Sequence, residues 1–455
     1  IKFMKLMNKK INLFESIKYI FINVFFLFNI LFLFGCSSDQ KLDFKDSVNV
    51  FENRNTLTYV VESKKQNSEL DVPINNLNIL NSKAYNLTNS ALNFPLEKQW
   101  EVDTKQSLDS STPLLSEPIF ILSKIYLINS NGSLLKIDSQ SGKILWEKEL
   151  FENLENSILG APAISGKYND QNDITIFLHT GNDELLSIDG SSGEVNWKKK
   201  YKLPFRGGIT FFKDRLFLSD YEGNFFSINS NNGEIIWSVT LGTDYSSVYT
   251  NARPIVAKNK IIVPGTGGSF FVLSLKTGEV IWTENISSNS QLPKIFHLGD
   301  IVANPVYYEG ILYLVSQSGF MSAFDIETKE KLWALPIGGL ETPVLSGKTI
   351  FVNGNMGSFV AINRLTGNVI WKKKYESYVN SNSYFSDETI AIYKGPVLVD
   401  SKLLFSDHYG MIKVLDANSG TELENFSIGR LALAPIPVNK KVFFLRTDGK
   451  LLAYE

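Results

Sequence analysis

The chain has 455 residues, of which 44% are hydrophobic and 20% charged, so it carries the apolar mass of a sizeable core and is not disordered overall. Its 45 Lys and Arg are balanced by 47 Asp and Glu, a formal net charge of −2; no long-range field gathers phosphates, which argues against nucleic acid as a partner. The one cysteine, Cys36, excludes an intramolecular disulfide, a thiolate metal cluster and a vicinal redox pair.

Lys2, Lys5, Lys9 and Lys10 precede an apolar run from Tyr19 to Phe34, the basic-then-hydrophobic order of a secretory signal, with Met4 or Met7 as the expected start. The run is short for a membrane span of about 20 residues. Leu33-Phe34-Gly35-Cys36 follows, and it resembles the lipobox at which bacterial lipoproteins are cut before the cysteine and acylated on its thiol. Cys36 is therefore the expected lipidation site, and several acyl chains hold a protein to a membrane where one binds only marginally. Residues 1–35 read as the signal peptide and 36–95 as a polar tether. The tether is rich in Asn, Ser, Asp and Lys, too poor in periodic apolar residues to order itself firmly. Short strand-like pieces such as Leu57–Val61 could pack on the main domain.

From residue 96 onward the sequence repeats. All seven tryptophans, at positions 100, 146, 197, 237, 282, 333 and 371, lie 38 to 51 residues apart, and Glu424 continues the series. Eight residues before the Trp position stand Asp138, Asp189, Asn229, Ser274, Asp325, Asn363 and Asp416. Four residues before it stand Gly142, Gly193, Gly233, Gly278, Gly367 and Gly420, with Lys329 the exception. Asp or Asn caps a turn through its own side chain and Gly supplies a positive φ, so each copy predicts a hairpin. A second hairpin precedes each, marked by Gly132, Gly223, Gly268, Gly319, Gly357 and Gly410; only Asp183 departs, with Gly181 beside it. Pro118, Pro162, Pro254, Pro305, Pro343, Pro396 and Pro435 open a further strand, where no ladder hydrogen bond is lost. Four strands per repeat result.

The last copy stops at Glu455, where its fourth strand should begin, and the segment Leu96–Val102 with Trp100 has no partner of its own. The two should meet: seven continuous repeats plus one shared between the ends make an all-β, eight-bladed propeller of four-stranded antiparallel blades over residues 96–455. Closure of this kind leaves only short, protected edges. The tryptophans are expected to wedge between neighbouring blades, each ring burying about 150 to 250 Å².

The Asp-x-x-x-Gly-x-x-x-Trp repeat resembles that of the PQQ-like propeller family, whose members include quinoprotein dehydrogenases and non-enzymatic proteins. Lipobox, polar tether and eight blades together resemble the family's propeller lipoproteins that serve the machinery inserting β-barrels into the outer membrane. That resemblance implies a lipid-anchored scaffold on the periplasmic face of the outer membrane, with the barrel-forming subunit as its partner and no cofactor or metal. Leu203-Pro204-Phe205-Arg206-Gly207-Gly208 matches the family's Leu-x-Leu-Arg-Gly contact loop, with Phe205 in place of Leu, and so assigns partner contact to Leu203, Phe205 and Arg206. A second family segment, Asp-x-Asp ahead of a strand-opening Pro, survives only as Asp300-Ile301-Val302 and adds Asp300. Exposed outer strands would suit unfolded outer-membrane clients by β-augmentation.

An enzyme would need convergent polar groups, and the repeats do not bring them together. His179, His297 and His408 fall in different repeats, and Gly347-Lys348-Thr349 is a hairpin turn rather than a phosphate loop, because Thr342 stands where the first Gly is required. A quinone-dependent dehydrogenase shares the repeat but often carries a paired-cysteine disulfide that Cys36 alone cannot make. A propeller lipoprotein tethering a different envelope partner is the other alternative.

Overall fold

Each Asp-turn-Gly motif closes the hairpin its spacing predicts. Asp138 Oδ1 accepts from the backbone N–H groups of Gln140 and Ser141, and Gly142 N–H donates back to the Asp138 carbonyl at 2.9 Å. Gly142 has φ +72, the left-handed conformation that the turn demands. Asp189, Asp325 and Asn363 cap their turns in the same way.

The computed structural model describes residues 68–71, 90–92, 94–105, 116–129, 132–150, 162–179, 181–242, 252–286, 300–375, 378–379, 388–389 and 392–455. The signal segment, Cys36, Leu57–Val61 and His297 lie outside them. Among the described residues, eight four-stranded antiparallel sheets form, joined by one two-stranded hairpin at 378–379 and 388–389. In chain order the blades are 1 (119–149), 2 (163–200), 3 (205–240), 4 (255–285), 5 (306–335), 6 (344–374) and 7 (393–427). Blade 8 takes three strands from 436–454 and its outer strand from Lys98–Asp103, as the interrupted last repeat requires.

Register shows how closely the shared blade copies the others. Trp146 pairs with Lys136, Trp197 with Ser187 and Trp371 with Ala361, each ten residues earlier on the adjacent strand. Trp100 takes the same place opposite Ala453 although the chain is broken between them, and Glu97 and Glu455 exchange two backbone hydrogen bonds at 2.9 and 3.0 Å. Six of the seven prolines immediately precede a first strand; Pro396 lies within its strand, Tyr393–Val399, at a bulge.

The core lies between blades rather than at the centre. Buried clusters join blade 1 to 2, 2 to 3, 3 to 4, 4 to 5 and 6 to 7, and one spans blades 7, 8 and 1. The inner three strands of each blade are covered on both faces and read as continuous apolar runs, whereas outer strands such as Ile144–Glu149 alternate.

Tryptophan sits at seven of the eight seams. Trp100, Trp146, Trp197, Trp333 and Trp371 donate their Nε1–H to carbonyls of the following blade, at Ser139, Ser191, Ser230, Arg364 and Ala417, over 2.9 to 3.2 Å. The repeat Gly of that next blade lies on the indole: a Cβ at Gly142 would come within 2.6 Å of Trp100, one at Gly278 within 2.5 Å of Trp237, and one at Gly420 within 2.7 Å of Trp371. The glycine thus serves both the turn and the neighbour's ring. Where Lys329 replaces it, at φ +66, Trp282 meets Phe324 of blade 5 edge-on instead, centroids 5.6 Å apart.

Two described pieces of the expected tether lie on the propeller. Ser68 Oγ donates to the Ala417 carbonyl, Lys348 N–H to that of Glu69, and Gly347 N–H to Asp71 Oδ2. Ser90 forms a parallel bridge with Val399, and Leu92 is buried at 7% exposure. The polar stretch is therefore strapped down at these points.

Candidate functional site: the rim around Arg206

The connections between blades and the hairpins between second and third strands share one face. On it, the segment Leu203–Gly208 enters blade 3 through a first strand, Phe205–Phe212, longer than those of blades 1, 4, 5, 6 and 8. Arg206 pairs with Ser219 and Thr210 with Phe217, so two extra residues bulge from this strand, with Gly207 at φ +77. A bulge re-aims the side chains beside it. Here it brings Arg206 to the lip of a cleft of about 50 Å³ that is also lined by Ser219, Asp220, Leu241 and Thr266.

Phe205 is not a surface residue. Its ring is 0% exposed and packs edge-on against Tyr201 at 4.9 Å, with His179 at 5.5 Å and Phe226 at 6.3 Å. An aromatic of this size in an apolar niche is a pillar beneath the loop. Leu203 is half-buried.

Asp300 is buried at 1% exposure. It faces Arg206, Oδ2 to Nη2 at 3.7 Å, while its Oδ1 accepts from Gly267 N–H at 2.8 Å and its carbonyl from Gln317 N–H at 3.1 Å. One residue thereby ties the rims of blades 3, 4 and 5, its carboxylate to blades 3 and 4 and its backbone carbonyl to blade 5. Burial pushes the Arg206 guanidinium below its usual pKa and Asp300 opposes that shift. The two residues read from separate segments of sequence are thus one ion pair.

Two features of the site escaped sequence reasoning. The sequence shows His179 only as one of three histidines in different repeats; in the fold it braces the loop. Its Nδ1 accepts from Gly181 N–H at 3.0 Å, which leaves Nε2–H to donate to the Gly207 carbonyl at 3.1 Å. Complete burial lowers its pKa to about 4, so the ring is neutral. The second is a polar ladder on Arg253, Asn304 and Thr342, the residues just before strand-opening prolines. Arg253 N–H donates to Asn304 Oδ1 at 2.9 Å and Asn304 N–H to Thr342 Oγ1 at 3.1 Å, while Arg253 Nη1 reaches back to the Ile209 carbonyl at 3.2 Å. A polar residue ahead of three successive strand-opening prolines, Pro254, Pro305 and Pro343, is the signal that could have found it.

Residues 170–373, which include the Arg206 loop and Asp300, match the family described as outer membrane protein assembly factor BamB. The outer membrane protein assembly factor BamB of Yersinia pestis is 20% identical over 339 residues, 72% of this chain and 81% of that one. Among solved structures, BamB from Moraxella catarrhalis superposes with a TM-score of 0.64 at 18% identity, covering 79% of this chain and 100% of the other. A europium-containing methanol dehydrogenase superposes with a TM-score of 0.61 at 14% identity, over 83% and 89% of the two chains. These last likenesses concern the fold alone. By its repeat and its eight closed four-stranded blades the chain is an eight-bladed propeller, and over residues 170–373 it is similar to the BamB family.

Proposed function

We propose that this protein is a non-catalytic scaffold of outer-membrane protein assembly, held to the periplasmic face of the outer membrane through a lipidated Cys36 after removal of residues 1–35. Its Arg206 rim docks on the periplasmic domains of the barrel-forming subunit. The observation that carries the reading is the rim loop itself. Phe205 and His179 fix it from below, a two-residue bulge aims Arg206 at the cleft, and the loop lies inside the family match. A pre-organised arginine loses little freedom on binding, and the planar fork of a guanidinium suits a partner's carbonyls or carboxylates. Leu203 supplies the adjoining apolar contact.

Charge reversal tests this. In Arg206→Glu the guanidinium is replaced by a second acid facing Asp300, and recovery of the barrel-forming subunit with the purified propeller should fall at least tenfold. Unchanged recovery from a folded variant would remove the loop from the interface. The second reading, a quinone-dependent dehydrogenase, is favoured by the superposition on a methanol dehydrogenase. Titration of the purified protein with pyrroloquinoline quinone and calcium separates the two: saturable binding with dye-linked alcohol oxidation would establish the enzyme.

A further inference from the structure

The closing seam, between blades 7 and 8, is built differently from the other seven. At six of those seams a tryptophan of one outer strand lies on the turn-Gly hairpin of the next blade, between its third and outer strands, and at the seam of blades 4 and 5 Trp282 packs on Phe324 of the next blade. Blade 8 has no such hairpin, because its third strand ends at Tyr454 and its outer strand is Lys98–Asp103. A tryptophan on blade 7 would have no turn to receive it. The residue at that register position is Glu424, opposite Val414, and it is exposed.

What covers the seam instead is the segment just before the closing strand. Ser90 N–H donates to the Leu398 carbonyl at 3.1 Å and the Ser90 carbonyl accepts from Asp400 N–H at 2.8 Å, which clamps the segment to the first hairpin of blade 7. Leu92 then enters the cluster that holds Val397 and Val399 of blade 7 together with Ile436, Val438 and Val442 of blade 8. Phe94 packs against the same cluster with the Lys402 ammonium of blade 7 over its ring at 4.5 Å. Two bonds between Glu97 and Glu455 complete the crossing to blade 8.

We infer that Ser90–Leu92 and Phe94–Glu97 form a staple that does at the closing seam what tryptophan does at the others, so that the stretch before the closing strand is a structural part of the ring. The staple follows from the topology of blade 8: an outer strand drawn from Lys98–Asp103 takes the place of the receiving hairpin and brings the residues before it to the seam.

Hydrogen–deuterium exchange on the full chain in detergent tests this with Leu92→Asp and Ser90→Pro, the latter removing the N–H that binds Leu398. Amides of 398–404 and 436–445 should exchange at least tenfold faster in either variant while those of blades 2 to 4 keep their protection. Unchanged exchange at the seam, or equal acceleration in every blade, would overturn the staple. Should neither variant accumulate, Leu92→Ala read in the same way decides. Adding Glu424→Trp to Leu92→Ala should leave the seam unprotected; recovery there would refute the claim that the missing hairpin is what makes the staple necessary.

Discussion

Two seams of the same ring illustrate two ways to hold blades together. Between blades 5 and 6, Trp333 is buried to 9% exposure, donates to the Arg364 carbonyl at 2.9 Å and lies under Gly367. Arg364 adds a second bond there: its guanidinium reaches the Gly347 carbonyl at 2.7 Å, pairs with Glu309 and lies over the Tyr308 ring. Between blades 7 and 8 a short apolar segment and a few backbone bonds take over, and Glu424 points to solvent. The contrast teaches that the repeat tryptophan is half of a lock. It persists only where a neighbouring turn completes it.

Breaking the lock should therefore be far more harmful at one seam than at the other. Trp333→Ala should lower stability by about 3–5 kcal/mol, the usual range for emptying a buried aromatic site, while Glu424→Ala should stay within about 0.5 kcal/mol, as surface changes do. Denaturant midpoints of the two variants check the difference. Comparable losses would mean that the ring is held by something other than the indoles.

The seam between blades 2 and 3 carries an additional, pH-sensitive brace. His179 is neutral and fully buried with a pKa near 4, against about 6.5 in an unfolded chain. Between those values the unfolded state binds a proton that the native state refuses, so stability falls as pH drops from about 6.5 to 4 and levels off below. The full shift is worth about 3 kcal/mol at most. His179→Gln should flatten the pH dependence of the unfolding midpoint over that window, and an identical pH profile would show that the ring is not the titrating group.

The turn beneath each indole gives the smaller effects. Gly278→Ala forces a Cβ to 2.5 Å from Trp237 at φ +76, and should cost about 2 kcal/mol, one part left-handed strain and one part ring displacement. The converse holds in blade 5, where Lys329 is already left-handed at φ +66. Lys329→Gly should raise stability by about 1 kcal/mol. Thermal midpoints moving in opposite directions would separate turn strain from indole packing.

Short-range chemistry was legible in the sequence. An Asp, Asn or Ser eight residues before Trp and a Gly four before it act on their own turn, within a few bonds, so the period, the blade count and the shared last blade follow from spacing alone; Trp100 opposite Ala453 bears this out. Type of residue, however, did not reveal depth. Phe205 and Asp300 were assigned from the segments they stand in, and only the fold shows one as a pillar beneath a two-residue bulge and the other as the ion-pair partner of Arg206.

What the sequence by itself determined is thus everything written in a repeat: the strands, the hairpins, and the rule that the two chain ends complete one blade. What only the tertiary structure decided are the pairings between residues far apart in the chain, such as His179 under the Gly207 carbonyl, Arg206 against Asp300, and Ser90 clamped to Leu398. The physical reason is range. Turn formation is governed by the dihedral angles and side chains of neighbouring residues, but a bond across the ring exists only once closure has set the distance between blades.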